Sequence, residues 1–412
     1  MKKPYRSVLS VALSLSLSSM AWAESSVLAE GDTSSPAPAQ TGPTLSSILG
    51  NSGIDVKGYL DATYIGHNQN PNSNIQVFDT QKNSFGLPQA GITVSKTPKE
   101  GFGGLINLTA GSDAGIYCSY GACGTKGMTP GSGGNFDLTQ AYGQYAKGSY
   151  TTIVGKFVTL AGAEVIDPTQ DTNITRSILF GKIPFTHTGF RVTDALTDSI
   201  NVMGGVNNGW DQVTGMTSSK TVELGMTDAF TKDTSLAVSM YSGYESMNMI
   251  TSSFTPTAGV GGVGFGVQDG NRTLIDTVFT SNLTPKATVI LNADYVLQVH
   301  ADINGTPGSE RYWGAAGYLN YQWTDQWHTS LRAEDINDMG GIATEAFVTG
   351  PNAGGNNLEE LTLTAGYSAT SNVELRGEVR GDSTTKGVFF GANGSVLYNH
   401  MITYGLEALY KF

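Results

Sequence analysis

From residue 54 to the end of the chain, apolar and polar positions alternate one by one in short runs, and the last run shows the beat most clearly. In Met401–Phe412 one set of alternate positions is Ile402, Tyr404, Leu406, Ala408, Tyr410 and Phe412. The other is Met401, Thr403, Gly405, Glu407, Leu409 and Lys411. A period of two sends successive side chains to opposite faces of a strand. One face here is greasy and the other mixed and partly charged, as a strand between lipid and water requires. An edge strand of a soluble sandwich would show the same alternation, so this run alone leaves both architectures open.

The rest of the chain separates them. Strand-like runs fall at 54–65, 85–96, 102–111, 136–146, 150–159, 186–196, 198–207, 219–230, 233–243, 272–283, 285–299, 311–323, 326–335, 357–368, 371–382 and 399–412. Short connections, such as Lys147-Gly-Ser149, Thr231-Lys232, Thr324-Asp325 and Ala369-Thr370, alternate strictly with long ones. That asymmetry belongs to an outer-membrane barrel with tight periplasmic turns and long external loops. The reading is therefore an all-β, transmembrane, antiparallel up-and-down barrel of about 16 strands, with 14 and 18 left open by the softness of strand boundaries.

Face by face, the runs agree. In 371–382, Val373, Leu375, Gly377 and Val379 oppose Glu374, Arg376, Glu378, Arg380 and Asp382. Charges near a bilayer midplane cost roughly 2–4 kcal/mol for Arg or Lys, so that second face must line water. Run 326–335 sets Trp327, Leu331 and Ala333 against His328, Arg332 and Glu334, and run 285–299 sets Leu291, Ala293, Tyr295 and Leu297 against Asn292, Asp294 and Gln298. Trp323, Trp327, Tyr367, Tyr410 and Phe412 near run ends suit an interfacial girdle on the turn side.

The front end adds a route of export. A basic Met1-Lys-Lys-Pro-Tyr-Arg6, the apolar stretch Val8 to Met20 and the small-residue site Ala21-Trp22-Ala23 have the layout of a secretory signal over 1–23. No later run of about 18 apolar residues exists to span a membrane as a helix. Residues 24–53 begin Ser-, Ala-, Pro- and Thr-rich, as a flexible periplasmic leader, with a short helix expected near Thr44–Leu49. Charged residues are only 14% of the chain and glycines number 53, which suits a wall facing hydrocarbon and strands that must bend. The net charge of −12, which falls to −15 once Lys2, Lys3 and Arg6 are removed, argues against a nucleic-acid partner. Cys118 and Cys123, the only cysteines, are expected to pair as a disulfide in an oxidising compartment; no histidine lies beside them to make a metal site.

A barrel of this size is too wide for side chains to fill, so a water channel is expected, without cofactor, passing small hydrophilic solutes or ions. Its narrowest point is assigned to the long third loop, 159–185, which is unusually apolar (Val165, Ile166, Ile174, Ile178, Leu179, Phe180, Ile183, Phe185) and would bury itself against the lumen wall. It would bring Glu164, Asp167, Asp171, Arg176 and Lys182 into the pore. His187, Arg191, Arg332, Glu334, Glu374, Arg376, Glu378 and Arg380 would line the facing wall, the two charge sets creating a transverse field. The partners implied are outer-membrane lipid and the barrel assembly machinery, and a homotrimer is one open assembly state.

Two other classes compete with a channel. An adhesin or structural barrel would use the Cys118–Cys123 loop as a recognition tip. A barrel hydrolase would need a histidine beside a nucleophile or carboxylate, and His187, flanked by Thr186 and Thr188, could approach Asp167 or Asp171. Gly259-Val-Gly-Gly-Val-Gly264 matches a dinucleotide fingerprint in letters but lacks its strand–turn–helix setting, so it reads as a Gly-rich loop.

Several segments are family-like in order and spacing: Asn83–Gly103, Phe136-Asp-Leu-Thr-Gln-Ala-Tyr142, Val154–Asp167, Arg176-Ser-Ile-Leu-Phe180, Pro184–Arg191 and Gly205-Val-Asn-Asn-Gly-Trp-Asp211. Through them residues 54–412 resemble the second putative beta-barrel porin family, the OmpL-like porins. The resemblance implies an outer-membrane barrel for passive diffusion, and likeness to other barrels gives Phe412 the role of a terminal assembly signal. Pro88, inside run 85–96, puts the local strand pairing in question.

Overall fold

Sixteen antiparallel strands close on themselves in a computed structural model that describes residues 49, 51–69, 75–79, 81–122, 134–245, 270–302, 307–339, 355–391 and 397–412. In chain order they are β1 Asp55–His67, β2 Ser84–Lys96, β3 Gly101–Ala110, β4 Phe136–Lys147, β5 Tyr150–Val158, β6 Thr186–Ala195, β7 Ile200–Asn207 and β8 Thr221–Asp228. The second half is β9 Thr234–Glu245, β10 Gly270–Thr284, β11 Ala287–Asp302, β12 Pro307–Gln322, β13 Trp327–Asp338, β14 Asn356–Ser368, β15 Val373–Thr384 and β16 His400–Lys411. Each strand pairs with its sequence neighbours, and β16 pairs with β1 to shut the cylinder. The signal segment, most of the leader, Cys123 and the Gly259–Gly264 stretch lie outside the described residues. Leu49 and residues 51–52, at the end of the leader, are helical.

The alternation explains why a cylinder forms. Outward positions such as Leu60, Phe85, Phe102, Leu361, Val379 and Leu406 are exposed apolar side chains, while inward positions such as Asp61, Thr63, Thr362, Arg380 and Glu407 are buried. A closed sheet leaves no unpaired edge, which hydrocarbon would penalise at every N–H and C=O. Trp323, Trp327, Tyr410 and Phe412 are exposed near the tight turns, with the Trp327 and Tyr367 rings 4.8 Å apart and those of Tyr410 and Phe412 5.9 Å apart.

Two details differ from the expectation or complete it. The connection between β11 and β12, read as a long loop over 300–310, is only 303–306, because both strands run further. Leu297 pairs with Arg311 and Gln298 with Glu310, so the ladder continues where composition has already turned polar. Beyond the membrane a strand needs its backbone partners but no apolar outer face. Pro88 sits at a bulge: Asp61 opposes Gln89 and Thr63 opposes Gly86, leaving Leu87 and Pro88 opposite Ala62 alone. The freed carbonyls accept from Ser112 N–H and Asp113 N–H, both at 3.2 Å, and Gly111 is glycine because a Cβ there would overlap the Pro88 carbonyl.

The wall is uneven in height. β7 and β8 have 8 residues each, whereas β11 and β12 have 16. Inside, residues 75–79, the short helix α1 (Ala114–Tyr117) and the β5–β6 connection converge on an apolar core that lies within the lumen.

Candidate functional site

The β5–β6 connection, 159–185, turns into the barrel. Its apolar content dictates this, since each Å² of apolar surface taken from water stabilises by about 25 cal/mol. Ile178, Leu179, Phe180 and Ile183 bury themselves among Ile75, Phe78 and Tyr117 from the neighbouring connections and Tyr312, Tyr318 and Ile336 from the wall. The Phe78 ring lies 5.6 Å from those of Tyr117 and Phe180. Asp167 shapes the descent: its carboxylate accepts from Thr169 N–H at 2.9 Å and caps the 3-10 turn Pro168–Gln170.

Hydrogen bonds fix the loop to one side of the wall. Leu160 N–H donates to the Tyr241 hydroxyl of β9 at 2.7 Å, and Ala163 N–H to Asn292 Oδ1 of β11 at 3.0 Å. Asn173 Nδ2 reaches Thr364 Oγ1 of β14 at 2.6 Å. Glu378 of β15 accepts from Ile174 N–H at 2.7 Å and Thr175 N–H at 3.0 Å, and Glu334 of β13 from Ile178 N–H at 2.6 Å and Leu179 N–H at 3.1 Å. The Tyr312 hydroxyl of β12 donates to the Lys182 carbonyl at 2.6 Å. Carboxylates holding pairs of backbone N–H groups are charge-assisted acceptors, stronger than neutral ones.

Guanidinium groups complete the seam. Arg332 is fully buried; its Nη1 donates to Glu164 Oε1 at 2.7 Å and to the Thr175 carbonyl at 2.6 Å, while Nε reaches Glu360 Oε2 at 3.0 Å. Arg380 bonds Asp382 and donates to the Arg176 carbonyl at 2.5 Å. Arg376 joins Glu374 at 2.7 Å, Glu407 at 3.2 Å and the Pro168 carbonyl at 3.2 Å. Within the loop, Arg176 pairs with Asp171 at 2.9 Å, donates to the carbonyls of Val165, Ile166 and Ile174, and lies 5.6 Å from the Phe78 ring and 5.7 Å from the Phe180 ring. Burial disfavours its charge, but Asp171 and Glu164 outweigh that and hold Arg176 above its ordinary pKa.

The residues expected to line a pore thus come together, with their charges turned toward one another. Glu164, Asp171, Arg176, Lys182, Arg332, Glu334, Glu374, Arg376, Glu378 and Arg380 are all buried, Glu374 among the wall residues Arg376 and Lys411; of the loop's charged side chains only Asp167 keeps partial exposure. Arg191 is buried in a two-point ion pair with Glu223, its guanidinium 4.4 Å from the Phe157 ring. His187 stacks on Tyr241 at 4.5 Å and bonds the Gly209 carbonyl at 3.1 Å, so its partners are not the loop carboxylates. Cys118 directly follows α1. Phe412 exchanges both backbone hydrogen bonds with Gly58 at 2.9 Å, and Gly58 leaves room for its ring.

Other anchors went unread in the sequence. Gln89 Nε2 donates to the Ile166 carbonyl at 3.0 Å and to Asp113 at 3.1 Å, and Asp211 accepts from Phe185 and Thr186 N–H at 3.0 and 2.8 Å. Burial pushes the Asp113 carboxyl up to about 7 against the Gln89 hydrogen bond, and Asp211 likewise up to about 7 against those two N–H groups. Gln89 sits at an inward position of its strand, a signal alternation could have given; the loop partners have no period to betray them.

A family model described as putative beta-barrel porin-2, OmpL-like, matches residues 53–412. Among solved structures, the outer membrane protein OmpT of Vibrio cholerae in its trimer form matches 87% of this chain and 99% of its own, with 11% identity and a TM-score of 0.55. The outer membrane channel DcaP of Acinetobacter baumannii matches 87% of this chain and 97% of its own at 12% identity and a TM-score of 0.54. An anion-selective porin from Comamonas acidovorans matches 87% and 99% at 9% identity and a TM-score of 0.54. At such identities the likeness is one of fold. No protein of curated function matches the sequence.

Proposed function

Because the chain belongs to the putative beta-barrel porin-2, OmpL-like family, we propose that it works as an outer-membrane porin, a water-filled channel through which small hydrophilic solutes or ions diffuse passively. The observation that carries this reading is the loop 159–185, bonded from Leu160 to Lys182 along β9 and β11–β15, which supports a role for it as the pore constriction. In that role the buried charges hold the constriction in place, and Asp167 is the loop charge nearest to permeating solute. Residues 1–23 direct export and are removed, 24–53 form a periplasmic leader, Cys118 and Cys123 close a small external loop as a disulfide, and Phe412 is read by the assembly machinery.

Assembly as a homotrimer is supported by the solved trimer form of Vibrio cholerae OmpT and by the low wall at β7 and β8, where 8-residue strands would gain cover from a second copy. Purified protein in a planar bilayer is expected to give stepwise open-channel currents. Silence in every electrolyte, from protein that migrates as a folded barrel, would refute the porin reading.

A further inference from the structure

Among the described residues, the side of the lumen that the loop leaves open carries no unpaired inward charge on β2 to β9. On β2 to β9, inward positions toward the tight turns are half-buried and neutral: Asn107 of β3 opposes Gln140, Gln144 of β4 opposes Ile153, and Met203 of β7 opposes Thr193. The charged side chains buried on the inner side of these strands are spent on one another or on neighbouring polar groups. Lys156 contacts Asp137 at 3.1 Å, Arg191 grips Glu223, and Glu245 accepts from the Thr221 hydroxyl at 2.6 Å. Across the lumen, the inward charges of β13–β15 are buried, and Arg332, Glu334, Arg376, Glu378 and Arg380 bond the loop.

We infer that this channel favours uncharged, hydroxyl-rich solutes of sugar size over ions of the same size; the inference rests on the porin reading above. An ion leaving bulk water needs fixed counter-charge to offset lost hydration; the described part of this wall offers none, and across from it the partly exposed Asp167 carboxylate of the loop is already engaged by Thr169 and Gln170. A polyol needs alternating donors and acceptors with apolar surface between them. The side-chain oxygens of Asn107, Gln144 and Asn201 supply acceptors, the second amide hydrogens of Gln144 and Asn201 supply donors beside their bonds to the Pro98 carbonyl and Thr227 Oγ1, and Tyr142, Ile153 and Met203 supply apolar surface for C–H faces. The net charge of the whole chain does not enter, because the pore sees only what faces it.

Proteoliposomes carrying the full mature chain would be swollen in isosmotic mannitol, sodium gluconate and glucosamine hydrochloride, three solutes of matched size. Mannitol is expected to enter several-fold faster than either ion, with a reversal potential near zero in a KCl gradient. Entry of gluconate or glucosamine at the mannitol rate, or a strongly cation- or anion-selective potential, overturns the inference while leaving the porin standing. No swelling and no conductance would remove both. Asn201→Asp and Gln144→Glu, checked for heat-resistant folding, should each turn the channel several-fold toward cations; an unmoved reversal potential in both would show that this wall does not face the permeating solute.

Discussion

The two halves of the barrel wall are built from the same period-two strands and do opposite things with charge. From β10 to β16 the inward face is dense with Arg, Asp and Glu, and nearly all of it is buried, with Arg332, Glu334, Arg376, Glu378 and Arg380 bonded to the third loop. From β2 to β9 the inward face toward the turns is amide, hydroxyl and apolar, and stays half-exposed. An inward charge is therefore no guide to pore chemistry. In this lumen most inward charge marks where protein meets protein.

The sharpest way to break the contrast is Arg332→Ala. It takes the ion-pair partner from buried Glu164 and leaves buried Glu360 with only Arg380 at 4.0 Å, a loss of about 3–5 kcal/mol for a broken buried pair. Folded protein should survive, since the ladder itself is untouched. Single-channel conductance should rise as the loop loosens, and thermal unfolding should move down by many degrees; an unchanged conductance would argue that the loop does not limit the pore.

Glu378→Ala should act in the same direction with less force, because Ile174 and Thr175 lose their shared acceptor at roughly 1–3 kcal/mol for stranded buried donors. Noisier open-channel current would report it. Combined with Arg332→Ala the effects should fall short of additive, as both groups hold one segment.

The smallest effect is in pH. Asp113 and Asp211 are held up to about 7 by burial, above the ordinary carboxyl near ~3.9 that the unfolded chain would have. The folded form binds their protons more tightly, so the stabilisation they give is complete below the unfolded value and is lost as pH rises through about 7. Melting of the purified barrel should be a few degrees higher at pH 5 than at pH 8, and Asp113→Asn with Asp211→Asn should shrink that gap. A higher melting point at pH 8 would contradict this assignment.

How far the sequence carried these points depends on periodicity. All sixteen strands were legible, because lipid outside and water inside impose alternation on every one, and Val379 beside Arg380 or Leu331 beside Arg332 makes the faces unmistakable. The loop was legible as a buried segment from Ile178, Leu179 and Phe180 alone. What alternation could not give is who meets whom across the lumen. Arg332 reaches Glu164 over a sequence distance of 168 residues, and nothing local to either predicts the other. Residues 75–79 and α1 escaped for the same reason: they are too short to show a period, and their apolar side chains matter only against the loop. The neutral wall was in plain view in strands whose inward letters are Asn, Gln, Thr and Met, but attention to charge passes over such positions.

The join between β1 and β16 has a consequence for how the molecule comes into being. Tyr59 pairs with Lys411 and His67 with Thr403, and Gly58 locks to Phe412, so the closing bonds unite segments from opposite ends of the barrel sequence. A growing chain thus has no smaller finished version of itself. Every shorter product is a curved ribbon with two raw margins, ready to zip onto a sister molecule. Completion is a single late event with a large loop to close, and a nonsense codon anywhere before the final strand should yield an aggregation hazard, never a narrower pore.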